Sequence, residues 1–382
     1  MLSAGRGSRM KSKLPKTLHK LGGLSLIDHI YLMLKRAGAE EPCLVTAPSM
    51  EEVRTHSLFQ RHVVQKDPRG TGDATLAAES EIQSAKGDLV VLCGDTPLVQ
   101  SETIEAAVET LADYDMVILG MRVVEENKYG RIFLDNHGHV EEIIEAADCI
   151  AHNLETDLCN SGIVLIRKTH ALTLLKMIKN DNAAGEFYLT DIVKHARHKG
   201  LKVGMLEVTH EELIGVNTQQ DLATSEYLFQ TLMRQRLLDD GVNMVDPESV
   251  YFSYDTMIGP GVRIEPNVFF GPNVTVEEGV VIKGFSHIEG ATIKKDAIIG
   301  PFARIRPETS IGEGARIGNF VEIKQSQIHD KAKISHLSYI GDTEVGTAAN
   351  IGAGTITCNY DGKNKHKTKI GQKAFIGSNT AL

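Results

Sequence analysis

The 382-residue sequence has no tryptophan, few aromatic residues (5%) and no Cys-x-x-Cys pair among its five cysteines. Those five, Cys43, Cys93, Cys149, Cys159 and Cys358, are odd in number and widely spaced. That excludes a disulfide framework or a thiolate zinc site and points to reduced thiols in a cytoplasm. Nowhere do roughly 18–20 apolar residues run together, the length a membrane-spanning helix needs. The first twenty residues carry six Lys or Arg among glycines and no apolar core, so no secretory signal is read. Positive charge is also in deficit: 41 Lys and Arg face 50 Asp and Glu, a net charge of −9. Such a chain lacks the cationic surface that nucleic acid requires. A soluble, cytoplasmic globular protein remains, of two or three domains on a prior of roughly 150 residues each. Its 35 glycines point to an architecture dominated by backbone.

The pattern changes character near residue 245. Before it, short β-branched runs at residues 43–46, 88–93 and 163–166 read as buried strands. Residues 24–37 read as an amphipathic helix ending at Gly38. This alternation predicts an α/β domain with a mostly parallel, Rossmann-like sheet over residues 1–218. Residues 219–245 are expected to contribute a linker helix, spanning 219–240.

After residue 250, a six-residue period emerges. Aliphatic or Phe residues recur at 258, 264, 270, 276, 282 and 288, slip in phase, and resume at 299, 305, 311, 317 and 323. Further slips give 328, 334 and 340, then 345 and 351, then 370 and 376. Ten of these eighteen positions precede a glycine, a phasing that the period of two in an antiparallel sheet does not produce. The period predicts a parallel β-helix over residues 246–382, three hexapeptides to a coil. One polar insertion, residues 357–368, interrupts it, and such insertions often serve binding.

The segment Leu2-Ser3-Ala4-Gly5-Arg6-Gly7-Ser8-Arg9-Met10 is a glycine-rich loop after a short strand. Its backbone N–H groups suit an anion, and Arg9, Lys11, Lys13 and Lys16 follow with no acidic residue before Asp28. No Gly-Lys-Ser/Thr follows, which excludes a Walker A loop.

The run LxAGxGxRM with Leu14-Pro15-Lys16 resembles the sugar-nucleotide pyrophosphorylases. So do Gln65, Gly70-Thr71-Gly72, Gly94-Asp95-Thr96-Pro97-Leu98, Tyr129-Gly130-Arg131-Ile132, Glu145, Asn160-Ser161-Gly162 and Gly215-Val216-Asn217, in order and spacing. With the hexapeptide half, the whole chain resembles the bifunctional bacterial enzymes of UDP-N-acetylglucosamine synthesis. The resemblance implies acetyl transfer from acetyl-CoA to glucosamine-1-phosphate, then uridylyl transfer from UTP to N-acetylglucosamine-1-phosphate. It also implies a left-handed β-helix and a homotrimer. Leu2 to Gly5, Cys93 and Gly94 would border nucleotide and sugar. Gln65, Gly70 and Thr71 would face the uracil, and Gly130, Glu145 and Asn160 the acetylated sugar. Asp95, at a strand end, and the amide oxygen of Asn217 suit Mg²⁺, which prefers oxygen ligands. Arg9 and Lys16 would stabilise charge on the phosphates during transfer.

In the second half, His336 suits a general base for an amine attacking a thioester. Arg306 and Lys324 lie 30 and 12 residues before it, read as near multiples of the coil that bring all three to one face. Two cations there suit a sugar phosphate. By resemblance, Tyr339 and Asn350 bind the sugar, Asn359 and Tyr360 complete the site across a trimer interface, and Ser378 meets acetyl-CoA. His287, His329 and His366 have no such company and read as structural.

Two positions depart from the family pattern. Cys93 stands where a Tyr is usual, and Ala147 where a Lys is common. The family also carries a longer first strand and further C-terminal coils, so the chain is expected to be incomplete at its C-terminus. Two other readings stay open. One is a monofunctional pyrophosphorylase with an oligomerising β-helix. The other is a non-catalytic, pyrophosphorylase-like scaffold subunit.

Overall fold

The computed structural model describes residues 1–5, 7–149 and 156–382. The chain forms two compact units, Met1–Ser225 and Glu226–Leu382. Among the described residues no helix is long and apolar enough to cross a membrane.

In the first unit, Leu2–Ser3 pairs in parallel with Cys43–Thr46, which pairs in parallel with Arg61–Val64. Leu2 also bridges Cys93, so this two-residue strand is held on both edges. A larger sheet runs Val203–Glu207, Met116–Arg122, Leu158–Ile166, Arg131–Leu134, Val140–Ile144, with Leu89–Val91 also on Leu158–Ile166. Here the expectation of a mostly parallel sheet needs correction. Leu158–Ile166 runs antiparallel to each of its partners, and the last two strands form an antiparallel hairpin. An apolar run marks a buried strand whichever way it points, so the reversal left no trace in the pattern.

Successive side chains of Met116–Arg122 enter opposite cores: Val117, Leu119 and Met121 on one side, Met116 and Ile118 on the other. Both faces are covered, which leaves the strand ends to present ligands. The helix predicted over 24–37 is Leu26–Arg36. Ser25 caps it by accepting from the Asp28 N–H at 3.2 Å, and Gly38 leaves it at φ +85°. The helix expected over 219–240 is Gln219–Asp239.

The second unit is a parallel β-helix. Met257 pairs with Thr275 and Thr275 with Thr292, while Arg263 pairs with Val281 and Val281 with Ile298. One coil therefore takes 17 or 18 residues. The period-six aliphatics from Ile264 to Ile370 form one continuous buried column, and Ile293 fills the slip between 288 and 299. At the polar insertion the pairing jumps from Glu344 to Lys369. Corners are made by residues in the left-handed region, in columns such as Phe285, Phe302, Phe320 and Leu337. Bulky residues seldom adopt that conformation, and here each coil repeats it at the same place.

Candidate active sites

In the first unit a cleft of about 290 Å³ opens at the strand ends. Leu2, Ser3, Ala4, Gly5, Lys16, Gln65, Gly70, Thr71, Cys93, Gly94 and Asp95 line it, all marked from the sequence. Thr17, Pro68, Ala74 and Glu186 line it too and carry no motif that would have singled them out. The strand register explains the convergence: Gly94 N–H donates to the Leu2 carbonyl at 2.9 Å, which places the glycine-rich loop beside Asp95. Gly7 sits at φ +59°, and a Cβ there would come within 2.7 Å of the Lys16 Cβ, so glycine lets the loop fold back onto that lysine. At Gly5 a Cβ would meet nothing, so glycine keeps the cleft itself open. Arg6 lies outside the described residues.

Lys16 Nζ donates to Asp95 Oδ2 at 2.7 Å and to Asn217 Oδ1 at 3.1 Å. Arg9 Nη2 also donates to Asn217 Oδ1, at 2.9 Å. The Lys16 ammonium thus bridges the two oxygens, and Arg9 shares the amide one. Among the described residues no three His, Cys, Asp or Glu side chains cluster as for a metal cage. A hard donor pair, completed by water and phosphate, is the arrangement Mg²⁺ favours. Asn217 is held by its backbone: Asp221 Oδ2 accepts from the N–H groups of Asn217 and Thr218, both at 2.9 Å.

Gly130, Glu145, Asn160 and Asn217 lie outside the cleft wall. The first three meet one another: Asn160 N–H donates to the Gly130 carbonyl at 2.8 Å, and a Cβ on Gly130 would lie 3.4 Å from Glu145 Oε2. Burial raises the Glu145 carboxyl above its ordinary range, and Asp191, Asp148 and Glu186 push the same way. Thr190 Oγ1 donates to it at 2.9 Å. Gln65 is buried, and its amide nitrogen is used internally, on Asp73 Oδ2 at 2.7 Å and the Gly70 carbonyl at 3.2 Å. The Cys93 thiol is pushed up to about 12 by burial and by Asp95 nearby, so it stays neutral and serves as wall, not nucleophile.

In the β-helix the coil arithmetic of the sequence reading fails. A coil of 17 or 18 residues has no multiple at 12 or 30, so His336 does not stack on Lys324 or Arg306. Lys324 pairs with Gly341, and the Arg306 N–H donates to the Ile323 carbonyl at 2.9 Å, which puts Arg306, Lys324 and Gly341 in one column. His336 pairs with Asn319 instead. The strand Lys333–Gly341 carries the histidine near one end, Tyr339 between, and Gly341 at the other.

His336 is exposed, and its Nδ1 lies 2.8 Å from Asn319 Oδ1. A carbonyl oxygen only accepts, so in the neutral ring Nδ1 carries the hydrogen and Nε2 the lone pair. Asn319 escaped sequence reasoning because the wrong coil length hid its register with His336. In the cation column, Arg306 pairs with Glu322 at 2.8 Å. The Lys324 ammonium is held below the ordinary lysine range, first by contact with Lys365, then by burial and Arg306. Lys365, from the insertion, is a second residue missed. Asn359 Nδ2 donates to the Tyr339 hydroxyl at 3.4 Å and to Asp342. A Cβ on Gly341 would come within 2.5 Å of the Tyr339 hydroxyl, so glycine makes that packing possible.

Tyr360 is exposed, its hydroxyl bonded to the Gly362 carbonyl at 2.7 Å. Asn350 pairs with Lys333 and Phe375, on the face before the histidine corner, away from the cation column. Continuing the register of that face stacks Ala353 and then Ser378 above His336, at about 4.8 Å per coil. Of the histidines read as structural, His287 stacks on Phe269 with centroids 4.8 Å apart. His329 meets Glu344 at 3.3 Å, and His366 meets Asp361 at 2.7 Å.

Residues 1–150 match the MobA-like NTP transferase domain. Residues 255–290 match the bacterial transferase hexapeptide repeat, and 287–380 the GMPPB C-terminal domain. Curated relatives match the whole chain: bifunctional protein GlmU of Zymomonas mobilis is 45% identical over 389 residues, all of this chain and 86% of the relative's length. Those of Azorhizobium caulinodans and Bartonella quintana are 44% and 43% identical, again over all of this chain and 86% of theirs. An NTP-transferase unit, a hexapeptide β-helix and full-length similarity at this level together show that the chain belongs to the bifunctional GlmU family.

Proposed function

We propose that the chain catalyses two consecutive steps of UDP-N-acetylglucosamine synthesis, one in each unit. The observation that carries the first is the convergence of Lys16, Arg9, Asp95 and Asn217 at the mouth of a glycine-lined cleft. Transfer of a uridylyl group asks for charge neutralisation and in-line placement, with little covalent chemistry from the protein. Lys16 and Arg9 neutralise the phosphates of UTP as the sugar-phosphate oxygen attacks the α-phosphorus and pyrophosphate departs. Asp95 and Asn217 would hold Mg²⁺, which when bound supplies further neutralisation and orientation of the phosphates. The amide oxygen of Gln65, pinned by its own nitrogen, faces the uracil beside Gly70 and Thr71. Glu145, Asn160 and Gly130 hold N-acetylglucosamine-1-phosphate.

In the β-helix, Arg306 and Lys324, with Lys365, take the phosphate of glucosamine-1-phosphate, and Tyr339 and Asn359 its hydroxyls. His336 Nε2 accepts the proton of the 2-amino group as nitrogen attacks the thioester carbonyl of acetyl-CoA and the coenzyme A thiolate leaves. Ser378, with Ala353, lines the acyl donor's approach above the histidine. Asn350 and Tyr360 complete the site in a homotrimer. Self-association is supported by the exposed rings of Phe285, Phe302 and Phe320, stacked 5.0 and 5.1 Å apart along one corner. A contiguous apolar strip of this kind marks an interaction surface. The five unpaired cysteines support a cytoplasmic location.

The test is pyrophosphate release from UTP and N-acetylglucosamine-1-phosphate with Mg²⁺, beside coenzyme A release from acetyl-CoA and glucosamine-1-phosphate. Both signals are expected. Pyrophosphate alone would leave a monofunctional pyrophosphorylase, and neither signal from folded protein would leave the scaffold reading.

A further inference from the structure

We infer that Phe187, which does not line the cleft, is a positioning residue that holds the base side and the sugar side of the uridylyl-transfer site together. The inference rests on the reading of that cleft given above. On the base side, Phe187 is clasped by the segment that carries Gly70 and Thr71. Its N–H donates to the Arg69 carbonyl at 2.8 Å, and its carbonyl accepts from the Gly72 N–H at 2.7 Å. The Arg69 guanidinium lies over its ring, 5.3 Å from the centroid. Arg69 also donates to Asp73 Oδ1 at 2.6 Å, and the other oxygen of that carboxylate accepts from Gln65 at 2.7 Å. The base-facing amide is thereby tied, through one carboxylate and one guanidinium, to the Phe187 ring.

Gly70 shows how close the clasp is. It sits at φ +120°, and a Cβ there would fall 2.6 Å from the Phe187 carbonyl oxygen and 2.8 Å from its nitrogen. Glycine at 70 is required by this approach of two backbones, independently of any contact with a base.

The same short segment reaches the sugar side. Glu186 lines the cleft, the Leu189 N–H donates to Thr71 Oγ1 at 3.0 Å, and Thr190 Oγ1 donates to Glu145 Oε1 at 2.9 Å. Its other end is held as well, since Ala183 N–H donates to Asp148 Oδ1 at 2.8 Å. Residues 182–190 are therefore a strap tied to both substrate pockets, with Phe187 at the tie to the base side. In-line transfer between two bound substrates depends on their mutual placement to within about 1 Å, which a shared strap provides.

The experiment uses the full chain and compares Phe187→Ala, Phe187→Tyr, Arg69→Gln and Thr190→Val. KM for UTP and for N-acetylglucosamine-1-phosphate is measured separately, with acetyl transfer, located in the other unit, reporting intact protein. Phe187→Ala should lower the kcat of uridylyl transfer about tenfold and raise both KM values, and Phe187→Tyr, which keeps the ring, should restore all three. Thr190→Val should raise the sugar-phosphate KM alone. Arg69→Gln, an exposed change that spares the fold, should lower kcat by about threefold and raise both KM values, and it decides the matter if Phe187→Ala does not fold. An unchanged kcat from Phe187→Ala or Arg69→Gln, whether one KM rises or neither does, would overturn the inference. Absence of pyrophosphate release from the unmodified chain would instead overturn the reading of the cleft.

Discussion

The two candidate sites are assembled by opposite means. In the first unit, Arg9, Lys16, Asp95 and Asn217 come from segments up to 208 positions apart and meet because a two-residue strand is pinned between two others. In the β-helix, partners sit one coil apart, and register alone sets them: Asn319 against His336, Lys324 against Gly341. A site made by convergence is vulnerable wherever a loop is repositioned. A site made by register is vulnerable to whatever changes the coil.

Reciprocal loss of activity would show most sharply whether the sites are separate. Asp95→Ala removes the carboxylate that meets Lys16 at the cleft mouth. It should lower uridylyl transfer by about 10³-fold or more and leave acetyl transfer unchanged. His336→Ala should do the converse, lowering acetyl transfer by about 10²- to 10⁴-fold. Asn319→Ala should cost less and shift the pH profile of acetyl transfer, because the tautomer of His336 is then unguided. Paired assays on each variant check all three, and a variant that depresses both activities equally breaks the comparison.

Next in size is an effect expected of the register-built site alone. Phe302 and Phe320 are 45% and 55% exposed, so replacing both with Ser should leave the coil folded. Light scattering should then show a mass falling from that of the proposed trimer toward that of a monomer, with acetyl transfer lost and uridylyl transfer retained. An unchanged mass would mean that the aromatic corner is not where the copies meet.

Legibility followed the same division. The inward column from Ile264 to Ile370 could be read from the sequence because each coil repeats one chemical demand. Yet six residues mark one face and not one coil, which takes 17 or 18, so spacings of 12 and 30 bring nothing into register with His336, whereas a spacing of 17 brings Asn319. In the first unit, Gly70 was legible only as a member of a family motif, and Asp95 both as that and as a carboxylate at a strand end. Neither the antiparallel course of Leu158–Ile166 nor the clasp at Phe187 could be read, because both are pairings between distant segments without a local signature. Glu186 was invisible for the same reason: it is one exposed carboxylate among many until the strap brings it to the cleft.

Two glycines sharpen the contrast at the level of a few kcal/mol. A Cβ on Gly318 would overlap the Ser335 carbonyl of the next coil, whereas one on Gly5 would meet nothing. Gly318→Ala should therefore destabilise the β-helix by about 1–3 kcal/mol, seen in its thermal unfolding. Gly5→Ala should shift stability by no more than about 0.5 kcal/mol but raise the KM for UTP, since the space it fills is the ligand's. If Gly5→Ala destabilises as much as Gly318→Ala, the glycine-rich loop is there for folding and not for phosphate.

The smallest expected effect concerns Glu145, and its sign is fixed by burial. Its folded pKa is raised above the ordinary carboxylate range because the low-dielectric surroundings penalise the charged form, with Asp191, Asp148 and Glu186 adding to the penalty. A raised folded pKa means that the folded state holds this proton more tightly than the unfolded chain does. The associated stability is fully present below the unfolded value, about 4.3, and is lost as pH rises through the folded one. Glu145→Gln has no proton to lose, so its unfolding midpoint relative to the unmodified chain should improve as pH rises above about 4.3 and level off once the folded pKa has been passed. A difference that stays flat across that window would mean that Glu145 ionises as freely in the fold as in water, and that Thr190 and the sugar-side backbone hold an ordinary surface carboxylate. The same titration followed by KM would separate the two demands on this residue. Sugar binding by an ionised acceptor should strengthen over the very range in which the fold weakens.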